Sequence, residues 1–409
     1  MNPEPRTIGR MKRAAIAFVI AFIVVIVLRT SLLAQDAAKA GTVPVTLDHN
    51  RIVIDVYVPL KDGTTKRVRG LVDTTRTQVM ISQRVAQMIG ASVSCDGQIC
   101  STRPPQAILV GGLRIPFSPG SPAATTVLTD NATDVLIPGM GPEVVIPATV
   151  LANYDLLIDY ANRQFTIGPA GSVRFAGTAV PVKVANNGQI LLTAKVSGRS
   201  YEFGLDTGLS ASLVTSAQFD RWHKEEPTWP YVAGALGAGN MSDSPDEVHR
   251  EMLRVPSILL GSVSLRDALV ASNVDVPQDT LTGLLGGEAL KGARIGLDYA
   301  HSMVYFEQLS SAPVAGLDVV GLTLRPEVNG RFTVVAVVPY EGQPSVPNVK
   351  VGDVLLGIDG APVTGATMGQ VWSLLGGEPG QTRKLIIERD GNRLTIDATV
   401  RRFLAEQKN

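Results

Sequence analysis

The stretch LVDTTRTQVMIS at residues 71–82 has a close copy, GLDTGLSASLVT, at residues 204–215. In both stretches apolar residues lead to an aspartate that is followed by a threonine, and the alignment places Asp73 opposite Asp206. The first copy differs from the second at Thr75, where the second has a glycine. Two acids in matching surroundings indicate a duplicated structural unit.

A second pair of similar stretches lies downstream. DLLIDYANRQFTI at residues 155–167 resembles RIGLDYAHSMVYF at residues 294–306, and Asp159 aligns with Asp298. Both pairs are separated by a similar distance, so blocks of about 135 residues repeat in register. The chain therefore contains two equivalent blocks, each with one Asp-Thr stretch and one Asp-Tyr-Ala stretch.

The composition favours strands over helices. The chain of 409 residues is 45% apolar, and its short Val, Ile and Leu runs are broken by Gly and Pro, as in β proteins. Only QRVAQMIG at residues 83–90 and SAQFDRWH at residues 216–223 are typical of short helices. We therefore predict a mainly β protein in which each block is a small β-barrel or sandwich. The length is sufficient for two or three domains.

Two small units with one equivalent acid each predict a pseudo-twofold interface at which Asp73 and Asp206 meet. Two carboxylates that lie close together cannot both ionise easily, so they share a proton. One then acts as a base that activates water, and the other acts as an acid toward a substrate carbonyl. The pattern points to hydrolysis by a pair of carboxylates, the dyad.

Residues 204–210, an apolar pair followed by Asp-Thr-Gly-x-Ser, resemble the active-site loop of retropepsin-like aspartic proteases. GLLGGEALKGARIGLDYA at residues 283–300 is similar to the second motif of that family, in which an apolar pair and Gly286 pack beneath the catalytic loop. The resemblance implies two tandem retropepsin-like β-barrel lobes that form a pseudo-twofold aspartic protease, with lobe 1 at residues 42–172 and lobe 2 at residues 173–310.

The same resemblance assigns roles to individual residues. Asp73 and Asp206 would be the catalytic acids of an aspartic-type endopeptidase that acts on peptides or unfolded proteins. The residues expected to support the dyad are Thr74, Thr75, Thr207 and Gly208. In the family the threonine hydroxyl ties the two loops together, the glycine allows close approach of the substrate, and a hairpin called the flap covers the substrate. The flap candidates in lobe 2 are Leu236, Gly237, Ala238 and Gly239. No metal or organic cofactor is implied.

The first block departs from the family pattern at two places. Thr75 replaces the glycine of the motif and is followed by Arg76, and Pro147 stands where the second block has Gly286. A branched side chain at position 75 would crowd the substrate or change the loop, and Arg76 could favour the ionised form of Asp73 if it turned inward. The alternative function is therefore a degenerate peptide-binding or scaffold protein that cleaves nothing.

A basic and then apolar segment precedes the two blocks. Four basic residues between Arg6 and Arg13 come before AAIAFVIAFIVVIVL at residues 14–28, and this order is typical of an export signal. The apolar run is shorter than the roughly 20 residues of a spanning helix. We predict a cytoplasmic basic region at 1–13 and a signal peptide or retained signal anchor at 14–34, which places the remainder in a bacterial periplasm, soluble or tethered to the inner membrane.

The two cysteines fit an exported protein. Cys95 and Cys100 flank the turn signal Asp96-Gly97, and cysteines that close a hairpin in an exported chain are most simply a disulfide. Zinc binding and a CxxC redox site compete with this interpretation, but the sequence has neither a completing His or Cys cluster nor that spacing. We therefore predict a Cys95–Cys100 disulfide, in a hairpin comparable in place to the flap.

The last segment has a different pattern. VGDVLL at residues 351–356, followed by Ile-Asp-Gly, resembles bacterial PDZ domains, and the similarity covers residues 314–402. It implies a groove that binds C-terminal peptides. The residues expected to bind the peptide carboxylate are Gly321, Leu322, Thr323 and Leu324. Residues 331–338 would be the strand that the peptide joins, and residues 367–375 the helical wall. GQPSVPNV at residues 342–349 replaces the usual helical insert, and a packing module without ligand is the alternative.

Composition and motifs argue against other classes. Lys+Arg and Asp+Glu are both 37, so the chain has no net charge and offers no basic run to a nucleic acid. No HExxH, GxSxG or P-loop motif is present, the four histidines have no ligand spacing, and no His, Asp and Ser set stands out. We predict neither a nucleic-acid partner nor a metal site. A membrane is implied only through the possible anchor at 14–34.

Overall fold

The computed structural model describes residues 39–96, 99–117, 125–128, 141–234, 251–273, 281–308, 317–327 and 329–404. The predicted signal segment at 14–34 and the flap candidates, residues 236–239, lie outside the described residues. Within the described part of the chain, no helix is long and apolar enough to cross a membrane. All elements below belong to the unit Ala40–Asn409.

The chain is mainly β, as predicted, and its elements fall into two repeats. The first repeat contains β1 (Gly41–Asp48), β2 (Arg51–Pro59), β3 (Thr65–Asp73), β4 (Met80–Ser82), α1 (Gln83–Met88), β5 (Ser94–Asp96), β6 (Ile99–Thr102), β7 (Ala107–Val110), β8 (Leu113–Pro116), β9 (Thr125–Leu128), β10 (Val144–Pro147), α2 (Ala148–Leu151), β11 (Asp155–Asp159) and β12 (Gln164–Gly168). The second repeat contains β13 (Thr178–Pro181), β14 (Lys183–Val184), β15 (Ile190–Val196), β16 (Arg199–Leu205), β17 (Ser212–Thr215), α3 (Ser216–Glu225), β18 (Tyr231–Val232), β19 (Met252–Leu260), β20 (Val263–Asn273), β21 (Gly283–Leu285), α4 (Gly287–Leu290), β22 (Ala293–Asp298) and β23 (Met303–Gln308). The two predicted short helices are present as α1 and α3.

The two repeats share a sheet. Six strands lie side by side in the order β13-β23-β22-β11-β12-β1, so each repeat supplies three strands on its side of the β11–β22 contact. β11 and β22 are antiparallel, with Leu156 opposite Leu297 and Asp159 opposite Arg294. Both leucines are fully buried, and the Arg294 guanidinium donates to Asp159 at 2.9 and 2.7 Å. A continuous sheet therefore joins the repeats about their pseudo-twofold axis.

Each repeat also inserts one strand between two others at the equivalent place. β10 pairs in parallel with β3 and antiparallel with β4, and β21 pairs in parallel with β16 and antiparallel with β17. The apolar residues of these strands, such as Val72, Ile146, Leu205 and Leu285, are fully buried. Each such side chain stabilises the fold by roughly 1.5–3 kcal/mol. The ends of β3 and β16 consequently rest on a closely packed layer.

The C-terminal segment, residues 317–404, forms a separate sheet. Its elements are β24 (Asp318–Val319), β25 (Leu322–Pro326), β26 (Phe332–Val337), β27 (Pro339–Tyr340), β28 (Gln343–Pro344), β29 (Val354–Ile358), β30 (Ala361–Pro362), α5 (Met368–Leu375), β31 (Thr382–Arg389), β32 (Asn392–Thr399) and β33 (Arg401–Arg402). The main order is β25-β26-β29-β31-β32. The prediction that a peptide joins the sheet at residues 331–338 is therefore wrong, because β26 pairs with β25 on one side and with β29 on the other, and β25 is the edge strand.

Helix α5 packs against the turn between β1 and β2 of the first repeat. The Gly369 N–H donates to Asp48 Oδ1 at 3.0 Å, and the Trp372 ring lies 5.2 Å from the ring of His49. A Cβ at Gly369 would lie 2.6 Å from the His49 nitrogen, so the close approach requires glycine inside this helix. The C-terminal segment is thereby fastened to the first repeat.

Candidate active site

The two acids of the duplicated stretch follow equivalent strands. Asp73 is the last residue of β3, and Asp206 comes directly after β16. Asp73 pairs with Pro147 in the β3–β10 ladder, and the Asp206 N–H donates to the Leu285 carbonyl at 2.9 Å. The inserted strands therefore fix the backbone of both acids.

The threonines that follow the acids bind each other's loops. Thr74 Oγ1 donates to the Leu205 carbonyl at 2.6 Å and accepts from the Thr207 N–H at 3.1 Å. Thr207 Oγ1 donates to the Val72 carbonyl at 2.7 Å. Both threonines are fully buried. These three hydrogen bonds cross the pseudo-twofold axis and hold the two loops at a fixed separation.

The carboxylates of the two acids meet at one hydroxyl. Thr75 Oγ1 lies 2.7 Å from Asp206 Oδ2 and 3.0 Å from Asp73 Oδ1. A hydroxyl has one proton to donate, so it can donate to one carboxylate and accept from the other only when that other is protonated. The arrangement therefore suits a pair that holds one proton.

Backbone amides complete the surroundings of the acids. Asp73 Oδ1 accepts from the N–H groups of Thr75 and Arg76 at 3.0 and 2.8 Å, and Asp206 Oδ1 accepts from the Gly208 N–H at 2.7 Å. A Cβ on Gly208 would lie 2.5 Å from Asp73 Oδ2. Glycine is required at this position because the opposite carboxylate approaches its backbone so closely.

Burial and a neighbouring negative charge favour the protonated form of Asp206. Burial raises the pKa of Asp206 to about 7, and repulsion from the Asp73 carboxylate acts in the same direction. Hydrogen bonds from Thr75 and Gly208 and the positive charge of Arg76 oppose that rise in pKa. The pair therefore keeps one proton into the neutral range.

The guanidinium of Arg76 is turned toward the acids. Its Nε lies 3.3 Å from Asp73 Oδ2, and 36% of the Arg76 side chain remains exposed. The backbone carbonyl of Arg76 accepts from the Ala148 N–H at 2.8 Å, which anchors the loop to α2. Arg76, which departs from the family pattern, thus places a positive charge beside Asp73.

The departure at Pro147 leaves the backbone unchanged. Pro147 has φ −84° and ψ 166°, and its counterpart Gly286 has φ −95° and ψ 173°. Proline adopts this φ readily. Glycine is needed at position 286 for lack of space and not for its backbone angles, because a Cβ there would lie 2.3 Å from the Ala211 carbonyl oxygen. The first loop is therefore not distorted at this point.

Two further residues hold the acid loops, and no motif marks them. Arg51 Nε donates to the Gly208 carbonyl at 2.9 Å, and Gln189 Nε2 donates to the Thr75 carbonyl at 2.6 Å. Each directly precedes an isoleucine in the leading hairpin of its repeat. Alignment of the two leading hairpins is the signal that could have paired these residues.

The cysteines form the predicted disulfide. Cys95 and Cys100 lie directly opposite each other in the β5–β6 hairpin and are bonded, so neither thiol is free to bind a metal. Among the described residues, no group of three His, Cys, Asp or Glu side chains could hold a metal ion.

The predicted peptide-binding residues of the C-terminal segment are buried. Gly321 is buried, and the side chains that follow it are at most 1% exposed: Leu322, Thr323 and Leu324. The Leu322 N–H donates to the Val320 carbonyl at 2.8 Å. That amide is therefore already used and does not face a ligand in this conformation.

The C-terminal segment matches a family model. Residues 314–400 match the model described as PDZ domain. Residues 314–400 form a PDZ domain. PDZ domains bind extended peptides at an exposed sheet edge, and β25 lies at an edge of this sheet. A search of curated proteins found no match for the chain.

Among solved structures, the chain is similar to the aspartic proteinase from Irpex lacteus. The two are 14% identical, the match covers 66% of this chain and 98% of that chain, and the TM-score is 0.41. A likeness at this level carries no argument about fold or activity.

Proposed function

We propose that the chain is an aspartic endopeptidase that hydrolyses peptide bonds with Asp73, Asp206 and an activated water. The observation that carries the proposal is the Thr75 hydroxyl, which lies within hydrogen-bond distance of a carboxylate oxygen of each acid. Two carboxylates that reach one small oxygen atom can also reach one water between them. The crossed threonine hydrogen bonds support the proposal because they hold the acids in place without substrate.

The two acids have different roles in this proposal. Asp73 accepts two backbone N–H groups and lies beside Arg76, an environment that suits the ionised base. Asp206, whose pKa burial raises to about 7, is the acid. Asp73 takes a proton from water as the water oxygen bonds to the peptide carbon, while Asp206 gives its proton to the carbonyl oxygen.

The second half of the reaction restores both acids. The C–N bond of the diol breaks as the leaving amine takes the proton held by Asp73. One hydroxyl of the diol returns its proton to Asp206, which leaves a carboxylic acid product. Asp73 is again ionised and Asp206 again protonated, so the cycle needs no metal or organic cofactor.

The other parts receive roles from their sequence patterns. In this proposal the substrates are peptides or unfolded proteins, and the PDZ domain binds C-terminal peptides at residues 321–324, beside the edge strand β25. The chain is periplasmic, either soluble or tethered to the inner membrane by residues 14–34. The disulfide between Cys95 and Cys100 supports an exported location, because disulfides persist in oxidising compartments.

The test is cleavage of an unfolded protein from acidic to neutral pH by wild type, Asp73→Asn and Asp206→Asn. Each amide variant should lose roughly 1,000-fold or more of kcat/KM. Asp298→Asn is the matched control, because Asp298 is also duplicated but caps the turn at His301, and it should cleave like wild type. Equal cleavage by wild type and both amide variants would refute the proposal.

A peptide-binding protein without cleavage is the second candidate, and the same hydroxyl favours it. In this second proposal Thr75 Oγ1, which lies within hydrogen-bond distance of both carboxylates, takes the place of the attacking water. Thr75→Gly empties that place, whereas Thr75→Ser keeps the hydroxyl as a control. If wild type, Asp206→Asn and Thr75→Ser are all inert while Thr75→Gly cleaves, the binding protein is the correct function.

A further inference from the structure

The start of β2 contacts the loop of the second acid. Arg51 Nε donates to the Gly208 carbonyl at 2.9 Å, and the Ile52 N–H donates to the Thr207 carbonyl at 3.4 Å. Gly208 in turn donates its N–H to Asp206. The first repeat therefore holds the acid-bearing loop of the second repeat from outside.

The reverse contact comes from Gln189. Its Nε2 donates to the Thr75 carbonyl at 2.6 Å, so each repeat holds the carbonyl two residues beyond the other repeat's acid. Gln189 makes this hydrogen bond with a neutral amide, whereas Arg51 makes it with a charged group. The hydrogen bond alone does not explain why the first repeat has an arginine.

The Arg51 guanidinium is a buried charge close to the dyad. Its side chain is buried, and its Nη1 has no hydrogen-bond partner within the described part of the chain. Burial lowers the pKa of Arg51 to about 10, while attraction to Asp48, Asp206 and Asp73 opposes this fall in pKa. The guanidinium therefore remains charged at neutral pH, and its field acts on the carboxylates through a medium of low polarity.

Other ionisable groups close to the dyad or to Arg51 are Arg76, His49 and Tyr160. Arg76 lies beside the first carboxylate. In the turn that precedes Arg51, burial lowers the pKa of His49 to about 3, so His49 is neutral. Tyr160, which follows β11, is also neutral, because burial and the second carboxylate raise its pKa. Arg51 and Arg76 are thus two cations that attract the carboxylate pair.

The turn that precedes Arg51 is held by the PDZ domain. Its two residues, His49 and Asn50, have φ values of 52° and 67°, the left-handed values that are preferred in two-residue hairpin turns. On the side away from the dyad, Asp48 accepts from Gly369 of α5 and His49 lies against Trp372. Helix α5 and the dyad loop therefore hold the turn between them.

We propose that Arg51 is a positioning residue of the dyad: it holds the Gly208 carbonyl and supplies positive charge that favours the ionised form of the carboxylate pair, while α5 fixes the turn that precedes it. The expected effect of Arg51 on cleavage rests on the proposed function, whereas its expected effect on the titration of the carboxylates rests on the geometry alone. Removal of the charge should raise the pH at which Asp206 titrates by about half a unit to one unit, because the carboxylate loses an attracting cation.

The test is an NMR titration of the full chain with ¹³C-labelled aspartate carboxyl groups, in wild type and in Arg51→Gln. Glutamine at this position can reproduce the Gln189 hydrogen bond without the charge. The Asp206 signal is assigned by its absence in Asp206→Asn. We expect the Asp206 midpoint to rise by about half a unit to one unit in Arg51→Gln, and an unchanged midpoint would overturn the proposal.

Two more variants separate charge from hydrogen bonding. Arg51→Lys keeps the charge but loses the planar Nε donor, so its midpoint should stay at the wild-type value while cleavage falls. Gln189→Met removes the equivalent hydrogen bond without a change of charge and should also leave the midpoint unchanged. A midpoint that moves in Arg51→Lys contradicts the proposal even if Arg51→Gln does not fold.

The outcomes for Arg51 and for the proposed function are distinguishable. If wild type cleaves nothing, the proposed function fails, and the titration still decides the role of Arg51. If wild type cleaves, the pH profile of kcat/KM for Arg51→Gln should shift upward together with the NMR midpoint. A uniform loss of kcat/KM with an unshifted midpoint would make Arg51 a structural residue only.

Discussion

The two acid loops hold their acids with an equivalent backbone hydrogen bond, from the N–H of Thr75 in the first and of Gly208 in the second, and they differ in the side chain at that position. In the second repeat the Asp73 carboxylate lies so close to Gly208 that no side chain fits there, whereas in the first Thr75 places a hydroxyl within hydrogen-bond distance of both carboxylates. At the adjacent departure, Pro147 and Gly286 have nearly the same φ and ψ. The comparison teaches that one side of a pseudo-twofold site tolerates a side chain when that side chain can bond to both acids.

We expect the largest effect on cleavage when the residues at positions 208 and 75 are exchanged for those of the other repeat. Gly208→Thr would place a Cβ 2.5 Å from Asp73 Oδ2, so the carboxylate or the loop must move. We expect a loss of kcat/KM of roughly 100-fold or more, as for other small misplacements of a catalytic group. Thr75→Gly, which makes the two loops alike, should cleave at least as well as wild type. Unchanged kcat/KM in Gly208→Thr would show that the two loops are interchangeable.

The next largest effect concerns the pH dependence of stability, which the protonation of Asp206 should cause. The folded state holds this proton up to a pKa of about 7, compared with an ordinary value of 3.8. Between pH 3.8 and about 7 the folded state therefore binds more protons than the unfolded state. The protonated Asp206 stabilises the fold fully below pH 3.8, and this contribution, roughly 4 kcal/mol at most, is lost as the pH rises to about 7. Urea unfolding across this range should show a smaller pH dependence in Asp206→Asn than in wild type.

The residues beneath the loops should differ in their tolerance of a methyl group. Gly286→Ala would place a Cβ 2.3 Å from the Ala211 carbonyl oxygen, and the crowding should lower the free energy of unfolding by about 1–3 kcal/mol. Pro147→Ala introduces no such contact and should cost less than about 1 kcal/mol. Denaturant midpoints of the two variants measure the difference, and equal losses would contradict this account.

The crossed threonines should contribute unequally. Thr74→Val removes two hydrogen bonds, one to the Leu205 carbonyl and one from the Thr207 N–H, and should cost about 2 kcal/mol. Thr207→Val removes the hydroxyl bond to the Val72 carbonyl and should cost about 1 kcal/mol. Thermal unfolding of both variants tests the order, which would be wrong if Thr207→Val were the less stable.

The sequence was sufficient wherever a feature depends on a local pattern or on the repeat. Asp73 and Asp206 could be paired because the residues around them repeat, and the structure brings their carboxylates to one hydroxyl. The disulfide could be predicted because Cys95 and Cys100 flank a tight turn. In each case the deciding information lies within a few residues of the feature.

Features that depend on remote partners could not be predicted. Strand periodicity shows which face of a strand is buried but not which strand lies beside it, so residues 331–338 were interpreted as an edge although β25 is the edge. The contact of Trp372 with His49 depends on how the PDZ domain packs. The hydrogen bond from Arg51 to the Gly208 carbonyl likewise depends on how the two repeats pack.

The register of the shared sheet bears on how the chain assembles. Asp159 lies opposite Arg294 across β11 and β22, and Asp155 occupies the place in the first repeat that Arg294 occupies in the second. A first repeat paired with a copy of itself in this register would set Asp155 opposite Asp159, and like charges directly opposite are destabilising. The ion pair therefore favours, by roughly 0.2–1 kcal/mol, the pairing of a first repeat with a second repeat over the pairing of two first repeats in this register.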